Sequence, residues 1–235
     1  MSKHGRTITS AITSAILIVG AFSPGASGEN SDSSAIKMAT RIDGEIVFTS
    51  EVHIAESVSQ LPPSGATASR GTEVAPQLIG FNQWVDCFSL NNENGVFAEY
   101  NHFYDGVGQD VRLKCGNNTW GYKHIRSGTK GDNGKESLWQ AKLDGARAAG
   151  WDAEAQGVES WDDLMAASAG NVITWPEYRA VNPVNKKTCG VTEIIFVNMN
   201  TGEIVYSYLD LVIWSNTNDR LLTTYPQPRS TCYPS

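Results

Sequence analysis

β-Branched and aromatic residues fill the C-terminal part of the chain in runs broken by turn formers. "VTEIIFVNM" (191–199), "EIVYSYLDLVIW" (203–214) and "LLTTYP" (221–226) are separated by "NTGE" and "SNTNDR". Such runs, with Asn, Gly and Asp at the breaks, predict an antiparallel meander of three strands. Three more strand-like runs lie upstream, at 81–89, 96–103 and 110–115. The first two are joined by "NNENG", a turn ending in Gly95. Between the two groups the apolar period changes. Over 135–149, Leu138, Trp139, Leu143 and Ala146 fall on one side of a helix, while Lys142, Asp144 and Arg147 face water. Gly145 should weaken that helix by about 1 kcal/mol relative to Ala. A second helix is expected at about 161–169. Ser160 is its N-cap, Asp162 and Asp163 suit its positive end, and Gly170 is the expected stop. Strands, then helices, then strands predict an α+β fold, an antiparallel β-sheet with helices packed on one face.

The N-terminal part differs in character. Lys3 and Arg6 precede the apolar run "ITSAITSAILIVGAF", and small residues Ala26 and Gly28 suit a cut before Glu29. Basic, apolar, small is the order of a secretory signal, so residues 1–28 are expected to be a cleaved signal peptide and the protein to be secreted. The run is shorter than the ~20 residues of a bilayer span, and no later segment is long and apolar enough. Residues 29–45 are rich in Ser, Asp and Asn; 45–58 has strand-like character; 61–76 has linker composition, with three prolines among Gly, Ser and Thr. The expected organisation is a flexible segment and linker over 29–76, then one domain over 77–235.

Charge and cysteine content narrow the function. Lys3 and Arg6 leave with the signal, so 16 of the 18 Lys and Arg remain against 25 Asp and Glu, a net −9. So acidic a chain does not adhere indiscriminately to nucleic acid or anionic membranes, and any polyanion site must be local. The four cysteines, Cys87, Cys115, Cys189 and Cys232, are an even count in an exported chain, which favours two disulfides. Three pairings are open. Cys87–Cys115, closing a β-meander, and Cys189–Cys232, anchoring the C-terminus, are the expected ones. The cysteines are scattered and lack metal-ligand spacing, so no metal site and no cofactor is expected.

One stretch runs against the acidic background. "LKCGNNTWGYKHIRSGTK" (113–130) lies in a segment with no carboxylate between Asp110 and Asp132. Arg112, Lys114, Lys123, Arg126 and Lys130 fall within nineteen residues, with His124 among them. Flanking cations disfavour the imidazolium and keep a proton-accepting imidazole. A histidine base beside a guanidinium can cleave an RNA phosphodiester: the base moves the 2′-hydroxyl proton and the cation neutralises the phosphorane. Trp120 and Tyr122 would stack on unpaired bases. His53 precedes the linker, and His102, in "EYNHFY", reads as a strand histidine packed among aromatics.

"GYKHI" after a strand, a helical middle, then "NMNTGEIVYSY" and a terminal "LLTTYP" resemble the C-terminal ribonuclease domains of secreted bacterial toxins, of the barnase/EndoU/colicin/RelE-like fold. The likeness spans about residues 111–228. It implies His124 as the catalytic histidine and Arg126, or failing that Lys123, as the phosphate cation. It also implies Thr223, Thr224 and Tyr225 as hydroxyl donors to the phosphate. Lys130, from the same basic run, is expected to add charge for substrate binding. The implied activity is a metal-independent, toxin-like endoribonuclease. RNA would be its substrate; a cognate immunity or inhibitor protein fits as partner, and a monomer is expected. A second reading is a non-enzymatic secreted binding protein on the same scaffold. Its recognition face would be Tyr100, Tyr104, Tyr206 and Tyr208.

Overall fold

The computed structural model describes residues 35–48, 78–102, 108–129 and 131–235. The signal-like N-terminus, His53, the linker 61–76, Tyr104 and Lys130 lie outside the described residues. Strands β1 (Ile36–Ile42) and β2 (Glu45–Val47) come first. A short helix α1 (Phe81–Trp84) runs into a π-helical turn, Val85–Ser89. The hairpin β3 (Val96–His102) and β4 (Gln109–Lys114) follows, then α2 (Gly121–Ser127). A small ladder β5 (Gly128–Thr129) and β6 (Asp132–Asn133) precedes the helices α3 (Glu136–Ala148) and α4 (Trp161–Thr174). The chain ends in β7 (Tyr178–Asn182), β8 (Lys187–Asn198), β9 (Ile204–Ser215) and β10 (Leu221–Gln227).

The fold is α+β. The main sheet has six strands in the order β10-β9-β8-β1-β2, with β7 also paired to β8, and every pairing is antiparallel. The expected meander is β8-β9-β10. Its central strands are apolar on both sides because both faces are covered. Ile194, Phe196, Tyr208, Val212 and Trp214 join the main core with Leu164, Val172 and Ile173 of α4. Cys189, Val191 and Leu211 form a second cluster on which Tyr225 and Cys232 pack. Helix α4 also packs against β3, so it is buried almost all round rather than along one stripe.

Ser160 caps α4 as expected, in a reciprocal box: its hydroxyl accepts from the Asp163 backbone, and the Asp163 carboxylate accepts from the Ser160 backbone. Gly170 does not end the helix, which continues to Thr174. A side chain there would press on the Tyr100 ring at 3.2 Å, so its role is close packing. Gly145 of α3 likewise makes room for Tyr206. In α3, Trp139, Leu143 and Ala146 are buried as expected, but Leu138 is 43% exposed.

Two other expectations need correction. Residues 81–89 form a helix and π-helical turn, not a strand. Trp84 and Phe88, four apart, share one side of it and pack with ring centroids 5.3 Å apart, while Cys87 points inward. The segment 29–76 is not loose throughout: β1 pairs with β8 from Ile36↔Asn198 to Thr40↔Ile194. Ile36 and Ala39 are buried there, and Arg41 pairs with Glu193 at 2.8 Å. A few apolar residues in a polar stretch suffice to cover β8, so the domain begins before Gln77.

Both expected disulfides are present, Cys87–Cys115 and Cys189–Cys232. The first joins the π-helical turn to the end of β4 rather than closing a meander. Thiol labelling of the unreduced, denatured protein should therefore find no reactive thiol; two or more would contradict the pairing. Among the described residues no helix is long and apolar enough to cross a membrane.

Candidate functional site

The approach to α2 is a tight turn at 116–120. Gly116 (φ 64°) and Gly121 (φ 76°) take left-handed backbone conformations, and a Cβ at either would strike the facing backbone. Asn117 closes the turn: its backbone N–H donates to the Trp120 carbonyl, and its side chain accepts from the Thr119 N–H and hydroxyl. The Lys123 N–H donates to the Cys115 carbonyl, fixing the first turn of the helix to the disulfide. The basic stretch thus runs from the end of β4 through a tight turn into helix α2.

Burial sorts the residues of α2. Tyr122 and Ile125 enter the core. Tyr122 stacks on Trp161 at 5.8 Å and donates to Asp162 at 3.2 Å; burial, then the Asp162 charge, pushes its phenol well above the ordinary range. Tyr122 is therefore a core residue, with no ring face open to a base. Trp120 is buried as well, and the Arg220 guanidinium lies 4.2 Å from its ring centroid. Lys123, His124, Arg126 and Ser127 make up the outer arc of the helix.

His124 is partly exposed, and its Nδ1 lies 3.1 Å from the Asn118 carbonyl oxygen. A carbonyl only accepts, so Nδ1 carries the proton of this bond. In the neutral ring Nε2 is then the lone-pair nitrogen.

Of the five cations of the basic stretch, the four that are described, Arg112, Lys114, Lys123 and Arg126, do not form one patch. Arg112 and Lys114, on β4, both bind Asp219 of the β9–β10 turn, at 2.6 and 2.7 Å, and Arg112 also pairs with Glu99 at 2.7 Å. Burial would raise the Asp219 carboxyl, but hydrogen bonds from Lys114 and Arg112 outweigh it and hold the group below its ordinary range. Arg126 pairs with Glu136 at 3.4 Å and lies 5.8 Å from the Phe88 centroid. Lys123 lies 5.5 Å from the same ring, and its ammonium donates to the neutral Asn91 amide oxygen at 2.7 Å. Two residues apart on a helix, His124 and Arg126 project about 160° apart, and the Arg126 guanidinium is turned to Glu136 and Phe88. Lys123 stands between them on the arc, about 60° from Arg126 and about 100° from His124.

The last strand lies where expected, since β10 packs against α2, but its hydroxyls do not converge. Successive strand residues face opposite sides of a sheet. Thr224 is fully buried and donates to the buried Asp210 at 3.0 Å. Tyr225 packs on the opposite cluster, with the Lys135 ammonium 5.3 Å from its ring centroid. The Thr223 hydroxyl is buried without a hydrogen-bond partner. Thr224 is thus a core residue, not a phosphate ligand.

The tyrosine face of the second reading is also corrected. Tyr100 and Tyr208 are buried in the core and Tyr206 is partly buried. His102 is a packed strand histidine, 2.8 Å from the Ile173 carbonyl oxygen and 5.2 Å from the Trp214 ring. Among the described residues no three of His, Cys, Asp and Glu are grouped to hold a metal.

The pair Trp84 and Phe88, beside Lys123 and Arg126, went unnoticed in the sequence. Assigning 81–89 to a strand put the two rings on the same face as alternating neighbours, with no relation to α2. Their spacing of four, around an inward cysteine, is the signal that was available. Compared with models of known protein families, with curated proteins and with solved structures, the chain matches none.

Proposed function

We propose that the chain is an exported, metal-independent endoribonuclease of the bacterial toxin type, with His124 as its proton-transfer residue. The observation that carries this reading is the Nδ1 bond to the Asn118 carbonyl, which leaves Nε2 as the accepting atom on the outer arc of α2. Nε2 takes the proton of an RNA 2′-hydroxyl, and the 2′ oxygen attacks the adjacent phosphorus. The bond to the 5′ oxygen breaks as that oxygen gains a proton from solvent, leaving a 2′,3′-cyclic phosphate. Lys123, whose side chain meets a neutral amide, neutralises the phosphorane in place of Arg126. The signal-like N-terminus and the two disulfides support export.

Purified mature protein should degrade total RNA in the presence of EDTA. DNA of matching sequence should survive, since it lacks the 2′-hydroxyl. The rate should fall as salt is raised, because phosphate contacts are screened. Failure to cleave any RNA would overturn the enzymatic reading in favour of a secreted binding protein. That second reading is favoured by one observation: Thr224, which was to serve the phosphate, is spent on Asp210 in the core.

A further inference from the structure

We propose that Trp84, Phe88 and Lys123 form a subsite for one nucleotide of a single-stranded nucleic acid, the base on the Trp84 indole and its phosphate on the Lys123 ammonium. The proposal rests on the reading of RNA as ligand, but not on His124 or on cleavage. Trp84 is 45% exposed. It is held, not loose: its ring packs on Phe88 at 5.3 Å with the planes 30° apart, while nearly half of its surface stays exposed. Phe88 in turn packs edge-on against Tyr122 of the core at 6.2 Å.

The charge beside this ledge has the right sign and is available. Glu136 takes up Arg126, and Asp219 takes up Arg112 and Lys114. Lys123 is held by an amide, which positions the ammonium without cancelling its charge. Asp86, the carboxylate of the same π-helical turn, accepts from the neutral Asn92 amide at 2.7 Å, which fixes its place and leaves its charge. The ledge is built on a π-helical turn, a feature frequent at functional sites, and the Cys87–Cys115 disulfide fastens that turn to the strand that leads into α2. Aromatic stacking beside a cation is how unpaired nucleic acid is held without regard to sequence. A duplex, whose bases are already stacked, offers no free face.

The test is the binding of a short fluorescent single-stranded DNA, which cannot be cleaved through a 2′-hydroxyl. Trp84→Ala should weaken binding about 5- to 100-fold, and Trp84→Phe, which keeps a stacking face, should stay within about threefold of the wild type. Lys123→Gln should weaken binding and lower the salt dependence by about one phosphate contact. Circular dichroism and melting of each variant separate lost stacking from lost fold, and Trp84→Phe answers the question even where Trp84→Ala does not fold. Equal binding by wild type and Trp84→Ala, a large loss in Trp84→Phe, or no binding by the wild type would each overturn the subsite. An RNA-cleaving protein that passes none of these tests keeps its proposed function without the subsite. A protein that binds through Trp84 but cleaves nothing keeps the subsite and loses the enzyme.

Discussion

The His124→Ala chain should cleave RNA about 10²–10⁴ times more slowly than the wild type, the usual contribution of a positioned acid or base, with its melting temperature nearly unchanged. Little of the fold depends on this side chain. The ring is partly exposed on the outer arc of α2, and its bond to the Asn118 carbonyl is a single exposed contact, whereas Tyr122 and Ile125 hold the helix to the core. Surface changes away from buried features usually shift stability by no more than about 0.5 kcal/mol. His124→Gln separates proton transfer from shape. Its amide can still donate to the Asn118 carbonyl but cannot accept and release a proton near neutrality, so it should be as slow as the alanine variant. Rates are to be measured on a defined RNA with EDTA present. A wild type and a His124→Ala variant that cleave equally fast would remove His124 from the mechanism.

Those features that follow from local periodicity were legible in the sequence. Strands β8, β9 and β10 announce themselves by runs of Val, Ile, Tyr and Trp between Asn- and Gly-rich turns. Helix α3 does so by Trp139, Leu143 and Ala146. Ser160 and Asp163 mark the start of α4 because an N-cap is written in four consecutive residues. What failed depended on partners far along the chain. Arg112 and Lys114 looked like part of a basic cluster, but their partner is Asp219, more than a hundred residues later. Nothing local says that Ile36 and Ala39 cover β8, or that Gly170 is needed for the Tyr100 ring. The site was half legible. The scarcity of histidine and the missing carboxylates drew attention to His124. The helical turn that sends Arg126 to the opposite flank was hidden by the Gly and Asn density before it. The assignment of Thr223, Thr224 and Tyr225 to one phosphate ignored strand alternation, which places Thr224 and Tyr225 on opposite faces.

Asp210 should make the fold less stable as pH rises, and Asp210→Asn should abolish that part of the slope. The carboxyl is fully buried between the sheet and the helices. Burial pushes it well above the ordinary carboxylate range, against the opposing hydrogen bonds from Thr224 and the Leu211 backbone. The geometry suits a neutral acid. The Thr224 hydroxyl lies 3.0 Å from one carboxyl oxygen and 3.3 Å from the other. With one proton it can donate to only one; a protonated carboxyl can return a hydrogen bond through the second. Above the unfolded value of about 3.9 the unfolded chain has released this proton while the folded chain keeps it. The folded state then binds more protons, so stability falls by about 1.4 kcal/mol per pH unit until the buried acid ionises. Asparagine keeps the pattern, with an amide N–H donating to the Thr224 oxygen, and carries no titrating proton. Urea unfolding of both chains over a pH series rising from about 4, disulfides intact, should show the variant gaining on the wild type as pH climbs above the ordinary carboxylate range. Asp163 and Glu177, which burial also raises, and Asp219, which is lowered, contribute alike to both chains and cancel. A difference that stays flat with pH would mean that Asp210 does not hold its proton in the fold. Thr224 would then face a charged carboxylate, and its placement as a neutral core partner would fall with it.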